Sequence, residues 1–240
     1  MKKLIMAAAV ALSAIALQAK TLVAYYSYTN NVEHIVGELR SRIQADVVEI
    51  EPAQKDLDYA ANNYAIGSAQ IAAIRNNPGD AASYPAIDPV DVNLADYDCV
   101  IIGTPLWWSN MAAPMQTFLF QHGGKMAGKN IGLIVSSASS GISGVESDAR
   151  RLVPGGHLLS PSLWIRSSQT SNAGTMIDSW LRDIDYSSIS AAISNPVADS
   201  TDTVTVYSLS GVRLLAGAAP TDGLPAGVYI VNVKKTLLGK

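Results

Sequence analysis

Along the chain, unbroken apolar runs alternate with segments in which apolar residues return every three or four positions. Leu22 to Tyr26 is the first run. A mostly polar loop, Ser27 to Val32, follows it, and apolar residues then fall at Val32, Ile35, Val36, Leu39 and Ile43. A short continuous run suits a strand buried on both faces of a parallel sheet, and the later spacing gathers its apolar residues on one helical face. Thr21 to Ile43 is therefore expected to form strand, loop and helix. The same alternation predicts strands at Asp46–Ile50, Cys99–Gly103, Asn130–Ser136 and Leu158–Ile165. It predicts helices from about Pro114 to Gln121, after Gly144, and through Met176, Ile177, Trp180, Leu181 and Ile184. Strands alternating with helices throughout define an α/β domain with a mostly parallel sheet, and ligands of such sheets bind beyond the C-terminal strand ends.

One connection is long. Between the second and third strands, Leu57 to Arg75 is Ala-rich and able to form a helix, whereas Asn76 to Pro89 contains Pro78, Gly79, Pro85 and Pro89 and is expected to be irregular. Connections of this length often cover a site. Tyr59 and Tyr64 within it read first as packing, and second as part of such a cover. Glu146, Asp148, Arg150 and Arg151 read as a solvated helix face. His122, ahead of Gly123 and Gly124, reads as a helix end, and Cys99 as a buried inert thiol.

Composition narrows the partners. With 48% hydrophobic and 15% charged residues the chain is built to fold, and a formal charge of -3 without a Lys/Arg cluster speaks against nucleic acid. Residues 1–19 have the form of a secretory signal: Lys2 and Lys3, an apolar stretch from Leu4 to Leu17, and small residues that permit cleavage after Ala16 or Ala19. No later stretch is apolar enough for a transmembrane helix. The expectation is an exported protein: periplasmic, at the cell surface, or secreted.

The candidate chemistry lies in three loops at predicted strand ends: Ser27–Val32, Thr104–Asn110 and Ser136–Gly144. All carry hydroxyls, amides or glycines, and none carries a charge. The first faces a helix N-terminus, whose free N–H groups and partial positive charge suit a phosphate. It has neither the Gly-Lys-Ser/Thr of a nucleoside-triphosphate loop nor the glycines of a dinucleotide turn. An ordinary strand-to-helix turn capped by Ser27 or Asn30 is the plainer reading of that loop alone. In the second loop, adjacent Trp107 and Trp108 do not both easily face one core: a ring stacked on a planar ligand would explain at least one, and a surface aromatic packed under the next helix is the plainer alternative. Together the loops fit one ligand with a phosphate tail and a flat aromatic head.

On these residues the chain resembles the flavodoxin-like family over Thr21 to about Asp185. The resemblance is carried by YYSYTNNV in the first loop, the EIEP ending of the second strand, GTPLWW after the third and the Ser/Gly loop after the fourth. It implies a three-layer sandwich, with a five-stranded parallel sheet in the order 2-1-3-4-5 and FMN as cofactor. The implied activity is electron transfer, or reduction of a quinone-like acceptor, with a redox protein or quinone as partner. Ser27, Tyr28, Thr29, Asn30, Asn31 and Val32 would bind the FMN phosphate. Pro105, Leu106, Trp107 and Trp108 would flank the isoalloxazine ring, together with Ser137, Ala138, Ser139, Ser140 and Gly141. The sequence departs from the family where Asn30 replaces a glycine and Val32 a hydroxyl residue. A module that keeps this fold without the flavin is the alternative.

The domain is expected over residues 20–190, followed by a linker at 191–202 and a β appendage at 203–240. In the appendage TVTVYSLSGVRLL and LPAGVYIVNVKK alternate as half-exposed strands. YSLSGVRLL and LPAGVYIVNV resemble the C-terminal sorting domains of proteins exported by type IX secretion, which implies the secretion machinery as a partner.

Overall fold

The computed structural model describes residues 20–191 and, beyond them, the strand backbones at 204–207, 213–217, 227–231 and 234–238. The signal segment and nearly all of the linker lie outside the described residues. The chain divides into two units at Ser194/Asn195.

The first unit is a twisted sheet between two helical layers. β1 (Thr21–Tyr25) lies between β2 (Asp46–Glu49) and β3 (Cys99–Trp107), and β5 (Asn130–Ser137) follows β3, all parallel. Register is fixed by pairs such as Val23↔Ile101 and Ile101↔Gly132. Because side chains alternate across a strand, Leu22 and Ala24 face one apolar core and Val23 and Tyr25 the other. The first core contains Ile71 and Ile74 of α2 (Ala61–Asn76), Phe118 of α3 (Ala113–His122) and Val145 of α4 (Ser143–Leu152). The second contains Ile35 and Leu39 of α1 (Asn31–Arg40) and Ile177 and Trp180 of α5 (Ala173–Asp183). Each large aliphatic side chain buried this way contributes about 1.5–3 kcal/mol. Gly132 makes room for Trp180, since a Cβ there would stand 3.1 Å from the indole.

The order 2-1-3-4-5 holds, but the sheet has seven strands. The predicted fifth strand is split into β6 (His157–Leu158) and β7 (Leu163–Arg166), both paired with β5. Pro161 lies between them and has no N–H for the ladder. The second departure is at the predicted loop Thr104–Asn110. β3 continues through Trp107 and turns at Trp108–Ser109 into β4 (Asn110–Met111), pairing Leu106↔Met111 and Trp107↔Asn110. α2 opens with Asn62, Asn63 and Tyr64 in left-handed conformation (φ 50°, 56°, 62°), so its regular turns begin after Tyr64. A last short helix, α6 (Tyr186–Ala191), was not expected; it is tied to β1 by a 2.8 Å hydrogen bond between the Tyr186 and Thr21 hydroxyls. No helix among the described residues is long and apolar enough to cross a membrane.

In the second unit, β8 (Val204–Tyr207), β9 (Arg213–Gly217), β10 (Gly227–Val231) and β11 (Lys234–Leu238) form an antiparallel sheet in the order β9-β8-β10-β11. Each of the two alternating segments thus holds one strand and the start of a second.

Candidate functional site

The C-terminal ends of β1, β3 and β5 converge on a cavity of about 460 Å³, within the range of small-molecule and cofactor sites. All three predicted loops reach it.

From the first loop, Ser27, Tyr28, Thr29, Asn31 and Val32 line the cavity. Asn30 does not. It holds the left-handed N-cap position of α1 at φ 60° without a side-chain cap, beside a separate surface cleft with Glu33 and His34. A short amide side chain tolerates that conformation best after glycine, so Asn30 shapes the loop. The Ser27 hydroxyl accepts the Glu33 N–H at 3.2 Å, and Asn31 Nδ2 donates to Thr29 Oγ1 at 3.1 Å. The bond from the His34 N–H to Asn30 O, 2.9 Å, closes the first helical turn; the Asn31 and Val32 N–H groups precede it and belong to the open helix end. Val32 is 1% exposed and sits in the core, 3.1 Å from where a Cβ on Gly103 would stand. Its contribution to an anion is the backbone amide; the hydroxyl it replaces would have had to leave that core position.

The β3–β4 hairpin supplies Pro105, Leu106, Trp107 and Trp108. The tryptophans part company. Trp107 is the centre of an aromatic cluster, edge-on to Tyr26 at 5.6 Å and to Tyr28 at 6.1 Å and tilted against Tyr59 at 5.0 Å. Trp108 lies over Gly67 of α2 and is 42% exposed; Tyr64, 49% exposed, lines the same cavity.

From the third loop only Ser137 and Ala138 of the predicted residues line the cavity, joined by Ser136. Ser139, Ser140 and Gly141 are exposed and lie outside it. The Ser137 hydroxyl donates to Ser140 O at 3.0 Å and accepts from Trp164 Nε1 at 2.8 Å, which closes the loop into a tight turn.

Tyr59 and Tyr64, read first as packing and second as a cover, line the cavity, and Gly67 and Ser167 line it without having been expected. The first three come from the long connection between β2 and β3, whose length was the available signal. The Tyr59 hydroxyl is buried beside Gln70, and both it and Gln70 Oε1 lack a hydrogen-bond partner. Burial is the main cause raising the Tyr26, Tyr28 and Tyr59 phenols above their ordinary range, so all three stay neutral at physiological pH. Every residue lining the cavity is uncharged. Among the described residues no group of His, Cys, Asp and Glu is arranged to hold a metal ion. The arrangement can bind, orient and desolvate a flat molecule with an anionic tail; it offers no acid or base in the ordinary pH range.

A doubly wound parallel sheet with a loop-lined cavity at its strand ends defines a class of ligand-binding α/β proteins. Residues 20–184 match the family model described as Flavodoxin, and the chain belongs to the flavodoxin family. Among solved structures it is similar to a candidate flavoprotein from Bacteroides uniformis, with 26% identity over 67% of this chain and 98% of that one and a TM-score of 0.53. A flavoprotein from Lactobacillus acidophilus, solved in complex with FMN, has 20% identity over 65% of this chain and 99% of that one, with a TM-score of 0.51.

Proposed function

We propose that the domain binds FMN in the strand-end cavity and carries electrons, to a protein partner or a quinone-like acceptor, outside the cytoplasm. The observation that carries this reading is the pairing, in one uncharged cavity, of an open helix end with an aromatic wall. Family membership and the likeness to a flavoprotein solved with FMN support it.

In this reading Thr29, Asn31 and the amides of Asn31 and Val32 hold the phosphate through hydrogen bonds and the helix end. Trp107, Trp108 and Tyr64 flank the ring, with Tyr59 behind them. FMN supplies the redox chemistry. The protein's own residues bind, orient and exclude water, and no side chain of the cavity moves a proton. The test is titration of the mature chain with FMN, followed by flavin fluorescence and thermal stability. Quenching with a raised melting temperature is expected. A chain that shows neither at saturation is instead a binding module that has kept the fold without the flavin.

Export is the second part of the proposal. Residues 1–19 would direct it across one membrane, and the appendage at 203–240 would engage a type IX secretion machinery. In a host with that machinery, deleting 203–240 should leave a folded domain in the periplasm. Equal arrival of both forms at the cell surface would make the appendage a partner-binding element.

A further inference from the structure

The hairpin that carries both tryptophans is in a costly conformation. Its two turn residues, Trp108 and Ser109, have φ of 46° and 64°. Two-residue hairpins with positive φ at both positions favour Asn-Gly, and a bulky residue in the left-handed region is strained. Such strain persists only where the surroundings over-determine it.

The surroundings here are side chains outside the cavity. Asp148 of α4, 6% exposed, is the one buried carboxylate among the described residues. Its Oδ2 accepts the Met111 N–H at 3.0 Å and Asn110 Nδ2 at 2.9 Å, and its Oδ1 accepts from an Arg151 terminal nitrogen at 3.0 Å. Gln116 Nε2 donates to Met111 O at 2.7 Å, so both backbone groups of Met111 are gripped. Arg151 also donates to Gln116 Oε1 at 2.8 Å and to the Tyr84 hydroxyl at 3.0 Å. Arg75 of α2 donates Nε to Asn110 Oδ1 at 2.7 Å and a terminal nitrogen to Trp108 O. The turn itself rests on the start of α4, where a Cβ on Gly144 would come within 1.9 Å of Ser109 O.

We infer that Asp148, assisted by Arg75 and Gly144, is a positioning residue that sets the Trp107–Trp108 wall of the cavity before any ligand arrives. Three donors converge on its carboxylate. A neutral amide in its place offers one acceptor oxygen and must turn its NH2 toward Asn110 and Met111 or toward Arg151. Asp148 was expected on a solvated face, together with Glu146, Arg150 and Arg151. The hairpin covers it, and its charge is spent on β4.

The ligand half of the test rests on the FMN reading; the other half does not. The full chain, labelled with fluorotryptophan, is observed without ligand by fluorine NMR, with Trp107 and Trp108 assigned through Trp→Phe variants. Asp148→Asn, Gly144→Ala and Arg75→Gln are each expected to shift or broaden those two resonances. Trp164 and Trp180, which donate to Ser137 and Pro161 instead, should stay in place. The FMN dissociation constant should rise about tenfold or more in each variant, the scale of one lost charge-assisted hydrogen bond. Most of that loss should vanish in a Trp108→Ala background, because the two changes then act through the same wall. Folded variants whose Trp107 and Trp108 signals are unmoved overturn the inference, as does weakened binding with all four signals in place. Should Asp148→Asn fail to fold, Gly144→Ala and Arg75→Gln decide by the same signals. A wild-type chain that ignores FMN refutes the ligand reading alone, and the unliganded spectra still decide the positioning role.

Discussion

Gly67 lies directly beneath Trp108: a Cβ added to Gly67 would stand 3.1 Å from the indole edge, closer than side chains ordinarily pack. Gly67 sits inside a helix, where alanine is favoured by roughly 0.5–1 kcal/mol, so its presence is a local cost that allows the close approach. Gly67→Ala is expected to leave stability in urea unchanged or up to about 1 kcal/mol higher, because the half-exposed indole can give way. It should weaken FMN in a titration. Unchanged affinity would remove Trp108 from the account of the cavity.

The two tryptophans should separate by stability. Trp107 packs among Tyr26, Tyr28 and Tyr59, and Trp107→Ala is expected to cost about 2–4 kcal/mol of unfolding free energy. Trp108→Ala removes an exposed ring and should cost less than about 1 kcal/mol. Urea melts of both variants check this; equal losses would contradict the division into an inner wall and a rim.

Every residue lining the cavity is uncharged, so negative charge gained on reduction meets no cation from the lining. Charge in a poorly solvated site without a compensating partner is disfavoured. The midpoint potential of bound FMN should lie below that of the free cofactor, and Ala138→Lys, at the cavity edge, should raise it. Spectroelectrochemistry settles the sign; a bound potential at or above the free value rejects this electrostatic reasoning.

His122 ends α3 against the Phe118 ring, 5.0 Å away, and burial followed by Lys125 lowers its pKa from the ordinary 6.5. As pH falls through 6.5 the unfolded chain takes up the proton before the folded one. The contribution is therefore complete above 6.5 and is lost below it, until the folded pKa is also passed. His122→Gln should show a smaller drop in stability between about pH 7.5 and about pH 5.5 than the parent. An identical drop would mean that the imidazole does not contribute.

Much of this was legible in the pattern of apolar positions. β1, β3, β5 and α1 were, because strands buried on both faces and a helix buried on one leave different periods; α3, buried throughout from Ala113 to Leu119, was legible instead from Pro114 at its start and Gly123 and Gly124 beyond its end. The first loop was also legible, since Ser27 to Val32 joins a strand end to a helix start in sequence. Tyr59 and Tyr64 were not: their place in the wall depends on how the long connection folds back over β3, which no local period records. β4 is two residues long, and Trp108–Ser109 lacks the Asn-Gly signature of its turn. Asp148 looked solvated because alternating charges on a helix read the same whether or not a hairpin lies on top of them.

The pairing of β1 with β3 has a consequence for how the domain assembles. Thr21 meets Cys99, and all of β2 and α2 must be looped out before that contact closes. Closing such loops costs chain entropy before any native contact offsets it, and parallel pairings of this kind fold slowly. β3 lies between β1 and β5, so the two halves of the sheet are joined only when Cys99 to Trp107 is in place. Truncating core side chains of β3, such as Ile101→Val, should slow refolding, whereas changes at the edge strand β2 should mainly speed unfolding.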